Sequence, residues 1–149
     1  MVEEINIVRN KKARYEYELL ESFTAGLQLM GTEVKSLRNG QASFGDAFCT
    51  IENGQMKLRN LHISIYKEGN ANNHTPLRVR NMLLNKTEIR KIDRKVKEKG
   101  LTVVPTRLFF SDRGLAKVEI ALAKGKKVHD KRESIKNNDQ KKQLKKIDY

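Results

Sequence analysis

The sequence predicts a mainly β fold, with an antiparallel sheet and a few helices at its ends. Several short runs alternate apolar and polar side chains, which is the pattern of a half-buried strand. Asn53-Gly54 separates two of these runs and is a strong signal for a two-residue hairpin turn. No strand–helix–strand unit repeats along the chain, so a parallel sheet is not expected.

The first half of the chain supplies three predicted strands and one helix. Residues 13–29 alternate as a strand, and Thr32 is placed to cap the short helix that follows. Residues 44–52 and 56–66 are the two strands joined by the hairpin turn. Within the second of them the apolar positions change parity near Asn60, which predicts a bulge or a switch to another sheet.

The second half supplies the clearest helix and two more strands. Asn85 is the predicted cap of this helix and Gly100 its end. Residues 101–110 and 115–123 form the strands, and Pro105 requires the first of them to be an edge strand or to bulge. The count favours an antiparallel oligonucleotide-binding-type barrel of about six strands with two to three flanking helices. An open α+β sandwich is the alternative.

Charge gives the first indication of a binding partner. The 149 residues include 31 Lys and Arg against 18 Asp and Glu, a formal net charge of +13. Such an excess favours a polyanionic partner, with nucleic acid the first candidate and an anionic membrane surface the second. Aromatic side chains are few and tryptophan is absent, so the pattern favours contacts with phosphate and with the shape of a structured RNA over base stacking.

The charge also divides the chain into two parts. Residues 124–149 hold ten basic and four acidic side chains but few apolar ones. So little apolar surface cannot offset the entropy that is lost when a backbone becomes ordered. We therefore expect residues 1–123 to form an RNA-binding body and residues 124–149 to form a basic tail that is disordered when free.

Side chains that carry chemistry in enzymes or metal sites do not occur in suitable patterns. Cys49 is the only cysteine and the three histidines are not at ligand spacing, so neither a disulfide framework nor a zinc site is expected. No apolar run is long enough to span a membrane, and the first residues lack the pattern of a secretion signal. We expect a cytoplasmic monomer with no catalytic residues, no cofactor, no metal and no membrane association.

Four runs of the sequence carry a family resemblance through their order and spacing. They are residues 10–17 (NKKARYEY), residues 25–38 with AGL and GTEVKSLR, residues 76–86 with PLR and LLNK, and residues 120–132 (IALAKGKKVHDKR). Together they resemble SmpB, the SsrA-binding protein (small protein B) family. The similarity extends over roughly residues 5–135, which is nearly the whole chain.

The resemblance implies both a fold and a function. Members of that family have an oligonucleotide-binding-type barrel that binds the tRNA-like domain of transfer-messenger RNA (SsrA RNA). They bring this RNA, together with elongation factor Tu, to stalled ribosomes for trans-translation. Their basic tail enters the empty mRNA channel and contacts the rRNA of the small subunit. A ribosomal or ribosome-assembly protein that binds rRNA permanently stays open as the alternative.

The resemblance also implies which residues contact RNA. For the body these are Asn10, Lys11, Arg14, Lys35, Arg38, Leu83, Asn85 and Lys117. For the tail and the ribosomal decoding site they are Lys124, Lys126, Lys127, His129, Asp130, Lys131 and Arg132. The chain departs from the family at Thr24, where Glu is frequent, and at Tyr15, where many members have His. A threonine can still form a hydrogen bond with RNA, but it cannot act as a carboxylate acceptor.

Overall fold

The main element of the fold is one curved antiparallel sheet. The computed structural model describes residues 5–126, apart from the side chains of residues 70–72. Within this range the sheet has seven strands: β1 (Ile5–Arg9), β2 (Tyr17–Leu27), β4 (Phe48–Glu52), β5 (Gln55–Arg59), β7 (Arg80–Leu83), β8 (Thr102–Phe110) and β9 (Ala116–Gly125). Two short strands pair separately, β3 (Ala42–Ser43) and β6 (His62–Ile63). The helices are α1 (Lys11–Glu16), α2 (Gly31–Arg38) and α3 (Lys86–Lys99).

The sheet closes into a barrel because its last strand, β4, returns to β8. Neighbouring strands follow the order β1-β8-β9-β2-β7-β5-β4, and each pair is antiparallel. The first residues of β8 lie beside β4, whereas its last residues pair with β1. The six strands from β8 round to β4 therefore enclose the core. The predicted antiparallel barrel of about six strands with flanking helices is confirmed, and the open sandwich is not found.

α3 covers one end of this barrel, and its limits are those that the sequence predicts. The side-chain oxygen of Asn85 accepts a hydrogen bond of 2.9 Å from the backbone N–H of Glu88, which caps the first turn. Gly100 ends the helix in the left-handed conformation, with φ at 63°. Ile89 and Ile92 are buried, so this face of α3 packs on the barrel. No helix within residues 5–126 is both long and apolar enough to cross a membrane.

Three predicted irregularities of the sheet are confirmed. Asn53 and Gly54 both have positive φ, 53° and 77°, as a tight hairpin turn between β4 and β5 requires. Asn60, with φ at 63°, ends β5 and lets the chain pass to the separate β3–β6 pair, so a switch of sheets occurs there. The register of β8 against β9 shifts between Pro105 and Arg107, which accommodates the missing N–H of proline.

The prediction of a strand from residue 13 onwards is wrong for residues 13–16. They belong to α1, because Asn10 caps that helix and its residue Ala13 is buried against the barrel. The alternation of tyrosine and glutamate continues from α1 into β2, so the pattern gave no boundary between the two elements. β9 also runs two residues further than predicted, to Gly125.

Three other differences have local causes. β1 was not predicted, because most of its side chains are exposed and it has no regular apolar alternation. Gly45, with φ at 51°, breaks the strand expected from residue 44, so that β4 begins only at Phe48. α2 is capped by Met30 instead of Thr32: the N–H of Met30 donates a 2.8 Å hydrogen bond to Glu33 Oε1.

Candidate nucleic-acid interface

Strand register brings three of the predicted RNA contacts to one place on the outer face of the barrel. Gly26 of β2 pairs with Leu83 of β7 on one side and with Lys117 of β9 on the other. Its neighbours in β2 are buried, with 1% exposure for Ala25, so Gly26 itself faces outwards. Leu83 is 57% exposed, and Asn85 follows it at the start of α3. We call Gly26, Leu83 and Lys117 the Gly26 patch.

Gly26 makes this patch flat. A Cβ atom added at Gly26 would lie in van der Waals contact with Leu83, 3.4 Å from its Cβ and 3.5 Å from its Cδ1. The backbone of β2 is therefore open to a ligand between an exposed leucine and a lysine. A bare peptide surface beside a cation suits the sugar–phosphate backbone or the base edge of an RNA. Sequence reasoning missed Gly26 as a site residue, although it lies within a run that carries the family resemblance.

A charged rim lies next to the patch on β8 and β9. Glu119 of β9 pairs with Thr24 of β2, and one oxygen of its carboxylate accepts a 2.9 Å hydrogen bond from the hydroxyl of Thr106 in β8. Arg107 lies 3.4 Å from Glu119, between Nε and Oε1, and its guanidinium stacks 4.0 Å from the ring centre of Phe109. Sequence reasoning also missed Glu119, two residues from Lys117 on β9, and Arg107, which only the pairing of β8 with β9 brings to this place.

A second group of predicted residues gathers around α1. Lys11 and Arg14 are exposed on this helix. The N–H of Lys126 donates a 3.1 Å hydrogen bond to the carbonyl of Glu16, and Lys126 Nζ lies 5.9 Å from the ring centre of Tyr15. The start of the predicted tail is thus joined to the helix. A fifth cation of α1, Lys12, lies 2.7 Å from a carboxylate oxygen of Asp46. We call the other four cationic residues of this region the α1 cluster: Lys11, Arg14, Lys124 and Lys126.

The two groups lie at opposite ends of β2. Tyr17, where α1 passes into β2, pairs with Gly125, whereas Gly26 pairs with Lys117. Nine residues of extended chain correspond to about 30 Å along the strand. The structure therefore does not bring the predicted body contacts into a single surface. Five of the predicted tail residues lie outside the described residues: Lys127, His129, Asp130, Lys131 and Arg132.

Asn10 differs from the other predicted contacts because its side chain is buried. Its Nδ2 donates a 2.8 Å hydrogen bond to the carbonyl of Pro105, and its Oδ1 accepts one of 3.1 Å from the N–H of Ala13. Only 5% of the residue is exposed. Asn10 therefore fixes α1 onto β8, and with it the positions of Lys11 and Arg14.

Lys35 and Arg38 are exposed on α2, and Lys35 Nζ lies 5.5 Å from the ring centre of Tyr66.

Buried charges hold α2 in place. Glu33 and Arg80 are both fully buried, with Arg80 Nε 2.7 Å from Glu33 Oε2, and Arg78 Nη2 is 2.5 Å from the other carboxylate oxygen.

The environment of Glu33 keeps it ionised. Burial raises its pKa, but hydrogen bonds from Arg78 and Met30 and the charge of Arg80 outweigh burial, so the pKa lies below its usual value. Glu33 belongs to α2, Arg80 is the first residue of β7 and Arg78 comes just before that strand, so this network fixes α2 to the barrel.

No group of three or more His, Cys, Asp or Glu side chains within residues 5–126 is placed to hold a metal ion. Cys49 is buried, and burial raises the pKa of its thiol far above the usual value, so it is not a reactive nucleophile. The charged and flat features of the surface are suited to binding.

Comparison with known proteins agrees with the resemblance of the sequence runs. The family described as SmpB protein matches residues 7–148. The SsrA-binding protein of Thermosipho africanus (strain TCF52B) is 55% identical over 133 residues, which cover 89% of this chain and 89% of that protein. The SsrA-binding protein of Cytophaga hutchinsonii is 48% identical over 147 residues, covering 99% of this chain and 95% of that one.

A solved structure gives the same result in three dimensions. One chain of the structure described as "tmRNA-SmpB: a journey to the center of the bacterial ribosome" superposes with a TM-score of 0.70. The two sequences are 45% identical, and the match covers 86% of this chain and 93% of that chain. Both the sequence and the fold are shared over nearly the full length, so this chain belongs to the SmpB family.

Proposed function

We propose that the protein binds transfer-messenger RNA and brings it to stalled ribosomes, where the RNA supports trans-translation. The observation that carries this proposal is that relatives about half identical over nearly the whole chain are SsrA-binding proteins. A net charge of +13 and a flat outer patch beside Lys117 support an RNA ligand. The chain acts by binding and not by catalysis, and it needs no cofactor.

The two groups of residues at the ends of β2 bind different partners in this proposal. The Gly26 patch, with Asn85 and the exposed α2 residues Lys35 and Arg38, receives the tRNA-like domain of the RNA. The α1 cluster faces the small ribosomal subunit, because Lys126 leads from it into residues 127–149. Those residues enter the empty mRNA channel and contact rRNA, in place of the missing codon–anticodon pairing. Elongation factor Tu accompanies the protein, which acts as a monomer in the cytoplasm.

The RNA that co-purifies with the protein tests this proposal. We expect sequencing of that RNA to give one dominant species with a tRNA-like domain. Bulk rRNA from unstalled subunits would instead favour the alternative, a ribosomal or ribosome-assembly protein, and would contradict the proposal. The experiment uses the intact protein. It is purified at low salt, because contacts with phosphate weaken steeply as the salt concentration is raised.

The Gly26 patch gives a prediction for a single substitution. Gly26→Val places a branched side chain against Leu83, so the patch is no longer flat. We expect affinity for transfer-messenger RNA to fall about ten-fold, which corresponds to about 1.4 kcal/mol. Stability should change little, because valine suits a strand better than glycine does. A gel-shift titration and a thermal melt measure the two effects.

Ser22→Val is the matched control for this substitution. Ser22 lies on the same face of β2 as Gly26, four residues away and exposed, and it pairs with Ala121. The control should leave RNA affinity unchanged. Equal affinities for the two variants would place the RNA elsewhere on the barrel.

A further inference from the structure

A surface groove runs between the β4–β5 hairpin and α3, and it is not part of the Gly26 patch. One of its walls is formed by Asn53, Gly54 and Gln55 at the tip of the hairpin. The other wall is the start of α3, with Lys86 and Arg90. Towards β7 the groove has a volume of about 560 Å³, a partly apolar lining, and Leu83 at its edge. The groove therefore begins where the Gly26 patch ends.

Six of the seven basic residues of α3 fall into two classes according to their partners, and the seventh is Lys99 near the end of the helix. Lys91 and Lys95 both contact Glu21 of β2, at 2.6 and 2.7 Å. Their hydrogen bonds lower the pKa of Glu21 to about 2, so this carboxylate stays ionised and the two lysines fasten α3 to the barrel. Lys97 lies 3.1 Å from Asp93, a neighbouring residue in the groove wall. These three lysines already have a carboxylate beside them.

The second class faces solvent. Lys86, Arg90 and Arg94 are exposed, and no salt bridge among the described residues involves them. They are four residues apart, so they form one stripe along α3 with a rise of about 6 Å per step. We call them the α3 stripe. Three cations in a line, without acidic partners, need a ligand that carries negative charges in a line.

An RNA strand is the ligand that fits both the stripe and the groove. Its phosphates repeat along the chain, and its sugars and base faces can lie against a lining that is partly apolar, such as Leu83 and Leu84. The positive end of the helix dipole at the start of α3 adds to the attraction. Leu83 lines the groove and also belongs to the Gly26 patch, so one RNA can occupy both.

We propose that transfer-messenger RNA continues from the Gly26 patch into this groove and along α3. Its backbone phosphates are bound by Lys86 and Arg90 in the groove wall and by Arg94 one helical turn beyond the groove. The inference rests on the function proposed above and adds a second, electrostatic part to the same RNA-binding surface. Of the residues that the sequence predicts to contact RNA, only the cap residue Asn85 lies at this helix. The inference therefore gives α3 itself a role in RNA binding that the sequence does not predict.

The double variant R90Q/R94Q tests the inference. Its binding to transfer-messenger RNA is titrated by fluorescence anisotropy over a series of salt concentrations. We expect affinity at low salt to fall about ten-fold or more, and the slope of log K against log salt to decrease by about 1.5, as the loss of two phosphate contacts requires. The thermal midpoint should stay within a few degrees, because both side chains are exposed.

The control K67Q/K99Q removes the same charge from exposed positions outside the groove. Lys67 is the first residue of a short 3₁₀ helix, Lys67–Asn72, that precedes β7. Lys99 lies on the side of α3 away from the stripe. If both double variants lose affinity and slope equally, the effect is one of overall charge and the inference is overturned. It is also overturned if R90Q/R94Q binds transfer-messenger RNA normally and loses only ribosome association, which would assign the stripe to rRNA.

The failure of the inference can be told from the failure of the proposed function. If the unaltered protein does not select transfer-messenger RNA over a tRNA and an rRNA fragment of equal length, the proposed function fails. If it does select that RNA but R90Q/R94Q matches the control, only the extension along α3 fails.

Discussion

Removal of residues 133–149 is expected to abolish the tagging of stalled translation products while affinity for transfer-messenger RNA stays within about two-fold. The Gly26 patch lies about 30 Å along β2 from Lys126, where the chain passes out of the barrel. At physiological salt, charges that far apart interact little, because the screening length is only about 8 Å. The two functions should therefore separate. Tagging in a stalled-message translation assay and RNA affinity by gel shift measure them independently.

A scrambled tail provides the control for this deletion. A chain in which residues 133–149 keep their composition but change their order retains the same charge and loses the three-residue spacing of Leu144 and Ile147. If charge alone acts in the mRNA channel, tagging should be retained. A deletion that weakens RNA binding as much as it weakens tagging would contradict the division of labour between the two ends of β2.

The sequence predicted those elements whose local pattern agrees with their tertiary environment. α3, the β4–β5 hairpin and the two long strands near the C-terminus each carry a cap, a turn or a regular apolar alternation. β1 has none of these, because it lies at the end of the sheet with mostly exposed side chains, and only its pairing with β8 makes it a strand. α1 was hidden because the alternation around Tyr15 and Tyr17 continues across the boundary between helix and strand.

The candidate site could be predicted only in part, for a related reason. Lys117 and Leu83 were identified through resemblance to a family, but their contact with Gly26 depends on the register of three strands distant in sequence. Local patterns contain no information about such pairing. The α3 stripe is a second example of a feature that local sequence patterns cannot fully predict. Its spacing is visible in the sequence, but only the structure distinguishes Arg90 from Lys91, because only the structure shows which of them contacts Glu21.

Glu33→Gln is expected to lower the free energy of unfolding by about 3–5 kcal/mol, which is typical of breaking a buried ion pair. The substitution leaves the guanidinium of Arg80 fully buried without a carboxylate, and it also removes the partner of Arg78. An ordinary domain is stable by about 5–15 kcal/mol, so a loss of this size is a large fraction of the total. Urea denaturation followed by circular dichroism measures the change.

Glu52→Gln is the matched control. Glu52 contacts Arg59 at 2.5 Å, the same distance as between Glu33 and Arg78, but the side chains of both partners are more than a third exposed. Surface pairs of this kind contribute about 0–1 kcal/mol. If the two glutamine variants lose the same stability, burial is not what gives the Glu33 network its strength.

The pH dependence of the loss identifies its cause. The pKa of Glu33 is lower in the folded protein than in the unfolded chain, where a glutamate has a pKa of about 4.3. Its ionised form therefore stabilises the fold fully above that value, and the stabilisation disappears as the pH falls through the folded pKa. The difference between the unaltered protein and Glu33→Gln should be constant near neutral pH and should shrink in acid. A difference that is independent of pH down to about 3 would mean that the variant loses packing rather than charge.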